Sequence, residues 1–361
     1  MSGLGWPLNV PVLTDGQVTL RAHVRSDIDR MLAMAQDPEM VAWTAISDPH
    51  TRAESERFAF EVIPDGWNEG TNRCWAIEFE GRYAGNVDLR GAGPLADIGF
   101  ALHPDCRGES VMTSAVRLAI TYAFVEAGIE AITWRARVGN IASLRVAHAT
   151  GFRLHELVPD LLCERGQVID GWTASIRFGD PTFAQTKWHR DAIETERLTL
   201  RPPTEADLAR WAEAEADEAT SYWANQPAPT VSEVRDVYYR SNWRAAKGTH
   251  LVWTVADRET DRFCGQVMIG DLPGSPEIGY FMHPDSRGLG LMTEAVDAVS
   301  QFALDRFGLN LTRLNLSVGA GNTKSAAIAR TCGYKQYGQA TAAEQLGDGT
   351  LADLLCFELV R

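Results

Sequence analysis

One feature constrains this chain more than any other: most of it is written twice. The segment "HPDSRGLGLMTEAV", His283 to Val296, repeats "HPDCRGESVMTSAV", His103 to Val116, at an offset of 180 residues, with nine of fourteen positions identical. The same offset relates "QVTLR" at 17–21 to "RLTLR" at 197–201, Trp43 to Trp223, Gly85 to Gly265, and "DIGFALHP" at 97–104 to "EIGYFMHP" at 277–284. Further on it becomes 182, which brings Asn140, Ser143 and Gly151 onto Asn322, Ser325 and Gly333. A period of this length is that of a domain and not of a solenoid repeat. A chain of 361 residues also suits two cores better than one. The expected domains are residues 1–180 and 181–361, joined by "FGDPTFAQTKWHRDAIET".

Each copy reads in the same order. An opening strand ("VTLRAH", "LTLRPP") precedes a helix from near Ser26 or Thr204, then a second helical region around 51–62 or 230–246. Strands with β-rich alternation follow: "CWAIEFE", "YAGNVDLR" and "DIGFALH" in the first copy, "HLVWTVAD", "FCGQVMIGD" and "EIGYFMH" in the second. Trp75 and Trp253 fall inside these strands and read as core. Helical spacing then predicts a long helix from about Met112 to Ala127 and from about Met292 to Phe307, ended by Gly128 or Gly308. A strand, a short helix from Asn140 or Asn322, and two closing strands complete each copy. The expected class is α/β of the α+β kind, two tandem domains, each a mostly antiparallel mixed sheet flanked by helices.

Composition excludes several functions. The net charge of −14 argues against a nucleic-acid partner. No apolar run reaches the length of a membrane span. "MSGLGWPLNVPVL" lacks the basic and long apolar regions of an export signal, and the six cysteines form no paired pattern, so the expectation is a cytoplasmic protein with reduced thiols and no metal.

A strand, then Arg-Gly-x-Gly, then a helix is an anion-binding arrangement. Glycines let the backbone approach a ligand, the first helical N–H groups lack internal partners, and the macrodipole favours negative charge. "RGLGLM" is no Walker loop, since no Gly-Lys-Ser/Thr follows, and it lacks the third glycine of a dinucleotide fingerprint. The plainer reading is a helix start with turn glycines. His103 and His283, each before a proline, read as structural.

Strand–"HPDSRGLGLMTEA"–helix followed by strand–"GNTKSAAIARTCGY" resembles the GNAT superfamily of acyl-CoA-dependent N-acetyltransferases, and within it the RimJ/RimL-type branch. The resemblance covers nearly the whole chain, twice. It implies acetyl-CoA as co-substrate, no metal, and direct attack by a primary amine in a ternary complex. Arg287, Gly288 and Gly290 match the loop that holds the coenzyme A pyrophosphate, with Met292 in place of its final Gly/Ala. The implied contact set is Arg287, Gly288, Leu289, Gly290, Leu291, Met292, Thr293 and Asn322, with Arg107, Gly108, Ser110 and Asn140 in the first copy.

Amine acetylation needs a base for the amine proton and stabilisation of the leaving thiolate. The resemblance points to Glu277 and Asp97, on the strand that would splay to admit the pantetheine arm, as carboxylates relaying a proton through water. The plainer reading of each is a strand-end carboxylate without a role. Ser325 and Ser143 fall where the family places the group facing the thiolate, and Asn322 and Asn140 are also natural N-caps. Trp223 and Trp43 would border the acceptor pocket; large aromatics are otherwise core.

The copies are unequal. Ser110 stands where the second copy has Gly290, and Glu109 where it has Leu289. The second domain is therefore expected to bind acetyl-CoA, and the first to bind weakly or to serve as a scaffold. The acceptor would be a small-molecule amine or a protein N-terminus, and the assembly a monomeric pseudo-dimer or a homodimer. A non-catalytic acyl-CoA-binding or regulatory protein, or a transferase of a longer acyl group, are the alternatives.

Overall fold

A computed structural model describes residues 10–361, so the export-signal reading of the residues before Val10 lies outside it. The chain divides into two compact units, one ending at Gln185 and the other spanning Thr186–Arg361. The division falls inside the segment read as a linker, but that segment is not a free tether. The Pro181 carbonyl oxygen and the Phe183 backbone fill the space that a side chain would need at Gly151, and Arg117 donates to the Thr182 carbonyl. Further along, Thr186 Oγ1 donates to the Ala246 carbonyl at 2.6 Å, and Trp188 and Ile193 pack on the second core.

The first unit contains β1 (Leu13–Thr14), β2 (Val18–Arg21), α1 (Ile28–Ala35), α2 (Pro38–Trp43), α3 (Arg52–Arg57), α4 (Ile63–Glu69), β3 (Asn72–Phe79), β4 (Arg82–Arg90), β5 (Leu95–Leu102), α5 (Val111–Val125), β6 (Ala131–Arg137), α6 (Ile141–Ala149), β7 (Arg153–Glu164) and β8 (Gln167–Arg177). The second repeats it with β9 (Ile193–Glu194), β10 (Leu198–Arg201), α7 (Leu208–Ala216), α8 (Glu218–Ala224), α9 (Val231–Ala246), β11 (Leu251–Asp257), β12 (Phe263–Gly270), β13 (Glu277–Met282), α10 (Leu291–Leu304), β14 (Arg313–Gly319), α11 (Thr323–Thr331), β15 (Lys335–Gln345) and β16 (Leu351–Val360).

Each unit has one eight-stranded sheet, in the orders β1-β2-β3-β4-β5-β6-β8-β7 and β15-β16-β14-β13-β12-β11-β10-β9. Among the described residues, only β5 with β6 and β13 with β14 run parallel. The expected mixed, mostly antiparallel architecture is what forms. The long helices pack their apolar stripe on the sheet: Ala295, Val296, Val299 and Ala303 of α10 meet Leu200, Val255, Val267 and Leu316. Trp75 and Trp253 are core residues, as read.

Three differences from the sequence reading have local causes. The short helices α2 and α8 are additional; each is N-capped by an aspartate, Asp37 or Asp217, that accepts an N–H three residues on. The helical region of the first unit runs past residue 62 to Glu69: a π-helical turn at Phe58–Val62 joins α3 to α4 without a break, directly ahead of Pro64, which has no N–H to give to the preceding turn. Gly308 does not end α10, which is already capped at Asp305. Gly308 is small because a β-carbon there would lie 1.9 Å from the Phe302 carbonyl oxygen.

Candidate active site

The glycine loop follows β13 through one 3-10 turn, Pro284–Ser286, and enters α10 at Gly290. Gly288 and Gly290 take left-handed φ of 79° and 75°. The first helical hydrogen bond runs from Glu294 N–H to the Gly290 carbonyl. The amides of Leu291, Met292 and Thr293 thus precede the helical ladder, at the positive end of the helix dipole. The side chains of Leu291 and Met292 are buried in the core, so only their backbones can serve a ligand. Arg197, which sequence reasoning missed, clamps this loop. Its Nη1 donates to the Leu289 carbonyl at 2.9 Å and its Nε to Glu294 at 2.7 Å.

The first loop keeps the same backbone. Gly108 has φ 86° and Ser110 φ 59°, so the serine adopts the left-handed conformation that its counterpart glycine uses. Ser110 therefore keeps the turn, at a cost of roughly 1–2 kcal/mol of left-handed strain. Glu109 is exposed.

Arg287 is held by groups of the protein itself. Its Nη2 donates to Asp217 Oδ2 at 2.5 Å and to Thr220 Oγ1 at 2.9 Å, and both Nε and Nη2 reach the Met282 carbonyl. Arg107 does the same in the first unit, pairing with Asp37 and Glu39 at 2.6 Å each. In both units this arginine ties the loop to the N-cap of a short helix.

Beyond the loop the parallel strands part. Four residue pairs join β5 to β6, ending at Ile98 with Trp134. Among the described residues a single pair, Glu277 with Asn315, joins β13 to β14. Past it, the facing edges of the two strands are not paired with each other, and backbone polar groups at such an edge need another partner.

The side chains at the two openings are of opposite character. In the first unit Asp97 accepts from Arg135 Nε at 3.0 Å and from Thr133 Oγ1 at 3.1 Å, and pairs with Arg90 at 3.1 Å. Arg90 also pairs with Asp88 at 2.9 Å. Arg90 and Asp88 lie over Gly99, where a β-carbon would come within 2.7 Å of both. Burial pushes the Asp88 carboxyl above its ordinary range. In the second unit the matching residues are Met268 for Asp88, Gly270 for Arg90, Glu277 for Asp97, Gly279 for Gly99 and Ser317 for Arg135. Among the described residues Glu277 forms no ion pair. One opening is bridged by an ionic cluster; the other is lined by small and apolar residues beside one free carboxylate.

The tryptophans follow the same division. Trp223 lies on the backbone of Gly319 and Gly321, so close that a β-carbon at Gly319 would be 3.1 Å from the ring. At the matching position the first unit has Arg137, whose guanidinium lies 5.8 Å from the centre of the Trp43 ring. A cation of the protein itself already occupies that face.

Asn322 Oδ1 accepts the Ser325 N–H at 3.1 Å and Asn140 Oδ1 accepts the Ser143 N–H at 3.0 Å, so both asparagines are N-caps. The hydroxyls face different partners. Ser325 Oγ lies 2.8 Å from the Tyr280 hydroxyl, and Ser143 Oγ accepts from Trp134 Nε1 at 3.0 Å. Burial pushes the Tyr280 phenol up to about 12. Sequence reasoning missed Tyr280; its signal was the tyrosine of "EIGY" against the phenylalanine of "DIGF". His283 bonds Asp285 and Glu213 and is structural. A groove of about 560 Å³ beside α10, lined by Glu194, Glu196, Glu294, Asp297 and Asp305, is acidic and repels a pyrophosphate.

The chain is similar to known acetyltransferases. The profile described as "Acetyltransferase (GNAT) domain" matches residues 17–153 and again 197–335, well over half of the chain. An uncharacterized N-acetyltransferase, p20 of Bacillus licheniformis, is 29% identical over 175 residues, which is 47% of this chain and 97% of its own length. Among solved structures, the RimL ribosomal L7/L12 alpha-N-protein acetyltransferase in complex with coenzyme A is 17% identical with a TM-score of 0.43, covering 46% of this chain and 98% of that one. RimJ of Mycobacterium smegmatis in complex with CoA-disulfide is 20% identical with a TM-score of 0.42, covering 46% and 86%. The protein is a member of the GNAT acetyltransferase family, carrying the family domain twice in tandem.

Proposed function

We propose that the second unit transfers an acetyl group from acetyl-CoA to a primary amine in a ternary complex, and that the first unit has no working acyl site. The observation that carries this is the contrast between the two strand openings: an ionic cluster of Asp88, Arg90, Asp97 and Arg135 against Met268, Gly270, Glu277 and Ser317.

The second opening fits the coenzyme chemically. An extended, amide-bearing arm satisfies unpaired strand edges as an added strand does. The amides of Leu291, Met292 and Thr293, with those of Gly288, Leu289 and Gly290, would hold the pyrophosphate. When bound, the thioester supplies an activated acyl group. Everything else falls to side chains of this chain. Glu277 takes the amine proton, directly or through one water. Ser325 offers its hydroxyl to the leaving sulfur, and Asn322 supports the coenzyme arm while capping α11. Trp223 forms one wall of the acceptor pocket and attracts a cationic amine. Juxtaposition of the two substrates supplies much of the acceleration. The acceptor class is a primary amine, a protein N-terminus or a small molecule.

Thiol release from acetyl-CoA, screened over peptide N-termini and small amines, tests the reading. Turnover with at least one class, lost in Glu277→Gln at unchanged acetyl-CoA affinity, is the expected result. Calorimetric binding without turnover of any amine overturns it in favour of an acyl-CoA-binding protein.

A further inference from the structure

The serine hydroxyls of the two units are each contacted by one aromatic hydrogen-bonding group from the sheet, and that group comes from a different strand in each. In the second unit the Tyr280 hydroxyl lies 2.8 Å from Ser325 Oγ and 3.2 Å from the Ser325 carbonyl oxygen. In the first, the residue matching Tyr280 is Phe100, which has no hydroxyl, and Trp134 Nε1–H donates to Ser143 Oγ at 3.0 Å. The residue matching Trp134 is Leu316. Two positions on neighbouring parallel strands have thus exchanged roles, Phe100 with Trp134 against Tyr280 with Leu316. Packing alone does not require the exchange, since Phe100 and Leu316 show that either position accepts an apolar residue.

A hydroxyl has one hydrogen and two lone pairs. A sheet donor that fills one lone pair leaves the serine hydrogen to be given elsewhere. Trp134 can only donate. Tyr280 acts the same way when its hydrogen goes to Oγ, the nearer of its two contacts. Partly buried, the phenol has its ionisation pushed upward, keeps its proton throughout the neutral range and remains a donor.

We propose that Tyr280 is a positioning residue: its O–H donates to Ser325 Oγ and so turns the serine hydrogen free for the sulfur of the leaving group. The proposal rests on the reading that the second unit transfers acyl groups with Ser325 beside the thioester. Ser325 O–H hydrogen-bonds the charge that develops on the leaving sulfur. Neither Ser325 nor Tyr280 gives up a proton; the proton released by the amine reaches the sulfur through solvent.

Tyr280→Phe copies Phe100 and removes only the hydroxyl. The expected result is a kcat lower by about tenfold, with KM for acetyl-CoA changed by no more than about twofold, the scale of one oriented hydrogen bond. A second readout is independent of turnover: the calorimetric preference for coenzyme A over desulfo-coenzyme A falls by about threefold. In a Ser325→Ala background the same substitution changes neither quantity. If Tyr280→Phe leaves both unchanged at an unaltered melting temperature, or lowers them equally when Ser325 is already alanine, Tyr280 does not act through Ser325. Failure of the underlying reading looks different: the unmodified protein then turns over no amine, while the coenzyme preference of Tyr280→Phe still reports on the contact.

Discussion

Glu277 pairs with Asn315, and there the contact between their strands ends; Asp97, its counterpart, is followed by one further pair and is held by two arginines. The two carboxylates share a sequence position and differ in freedom. Glu277→Gln is expected to lower kcat by about 10²-fold or more, the usual contribution of a positioned base, without weakening acetyl-CoA binding. Asp97→Asn is expected to leave acetyl transfer unchanged and to lower the melting temperature by about 2–4 °C, since Arg90 and Arg135 lose a shared partner. Steady-state kinetics and thermal melts on both variants decide this.

Binding is expected at one site per chain. Gly290→Glu sets a bulky anion at the left-handed residue that opens α10, and should weaken acetyl-CoA binding by about tenfold or more. Ser110→Glu makes the equivalent change in the first unit and should leave the isotherm intact. A loss only in Ser110→Glu assigns the site to the first unit instead, and two equivalent sites overturn the expectation of one site per chain.

Arg287 holds α8 to the end of β13 through Asp217, Thr220 and the Met282 carbonyl. Arg287→Ala is expected to cost about 1.5–3 kcal/mol of stability, the range of hydrogen bonds to a charged group, and to reduce acetyl-CoA affinity only a few-fold. A large loss of affinity at an unchanged melting temperature would show instead that the side chain reaches the phosphate.

Gly128 and Gly308 look equivalent in sequence and are not. At Gly308 an alanine β-carbon would meet the Phe302 carbonyl oxygen at 1.9 Å, so the backbone has to move. Gly308→Ala is expected to cost about 2 kcal/mol or more. At Gly128, with φ 67° and open space around it, the same change costs only the left-handed strain of about 1 kcal/mol. Denaturant melts of the two variants give the ordering.

Alkali should unfold the protein through its buried phenols. Burial raises Tyr280 to about 12, and raises Tyr83 and Tyr334 as well. An unfolded tyrosine ionises near its ordinary value of about 10. The folded state therefore retains protons that the unfolded state releases. The stability these groups contribute is complete below about pH 10 and is lost as the pH rises toward 12. Phenolate absorbance should rise in two stages, the later one coinciding with loss of tertiary structure; a single early stage for all eight tyrosines would refute it.

Much of this protein was legible in its sequence. The offset of 180 residues reveals two domains, because a duplicated hydrophobic pattern folds twice. The order of strands and helices is local too, since periodicity and capping act within a few residues. The glycine loop and the N-caps Asn140 and Asn322 belong to the same class. Only tertiary structure could show which copy has its strand opening bridged by ion pairs. Asp88, Arg90, Asp97 and Arg135 are scattered along the first copy and become one cluster only when three strands are laid side by side. Arg287 and Asp217, and likewise Tyr280 and Ser325, are far apart in sequence, and that separation hid both contacts. Side-chain chemistry reads locally; which charges meet, and which stay free, depends on strand pairing that long-range packing selects.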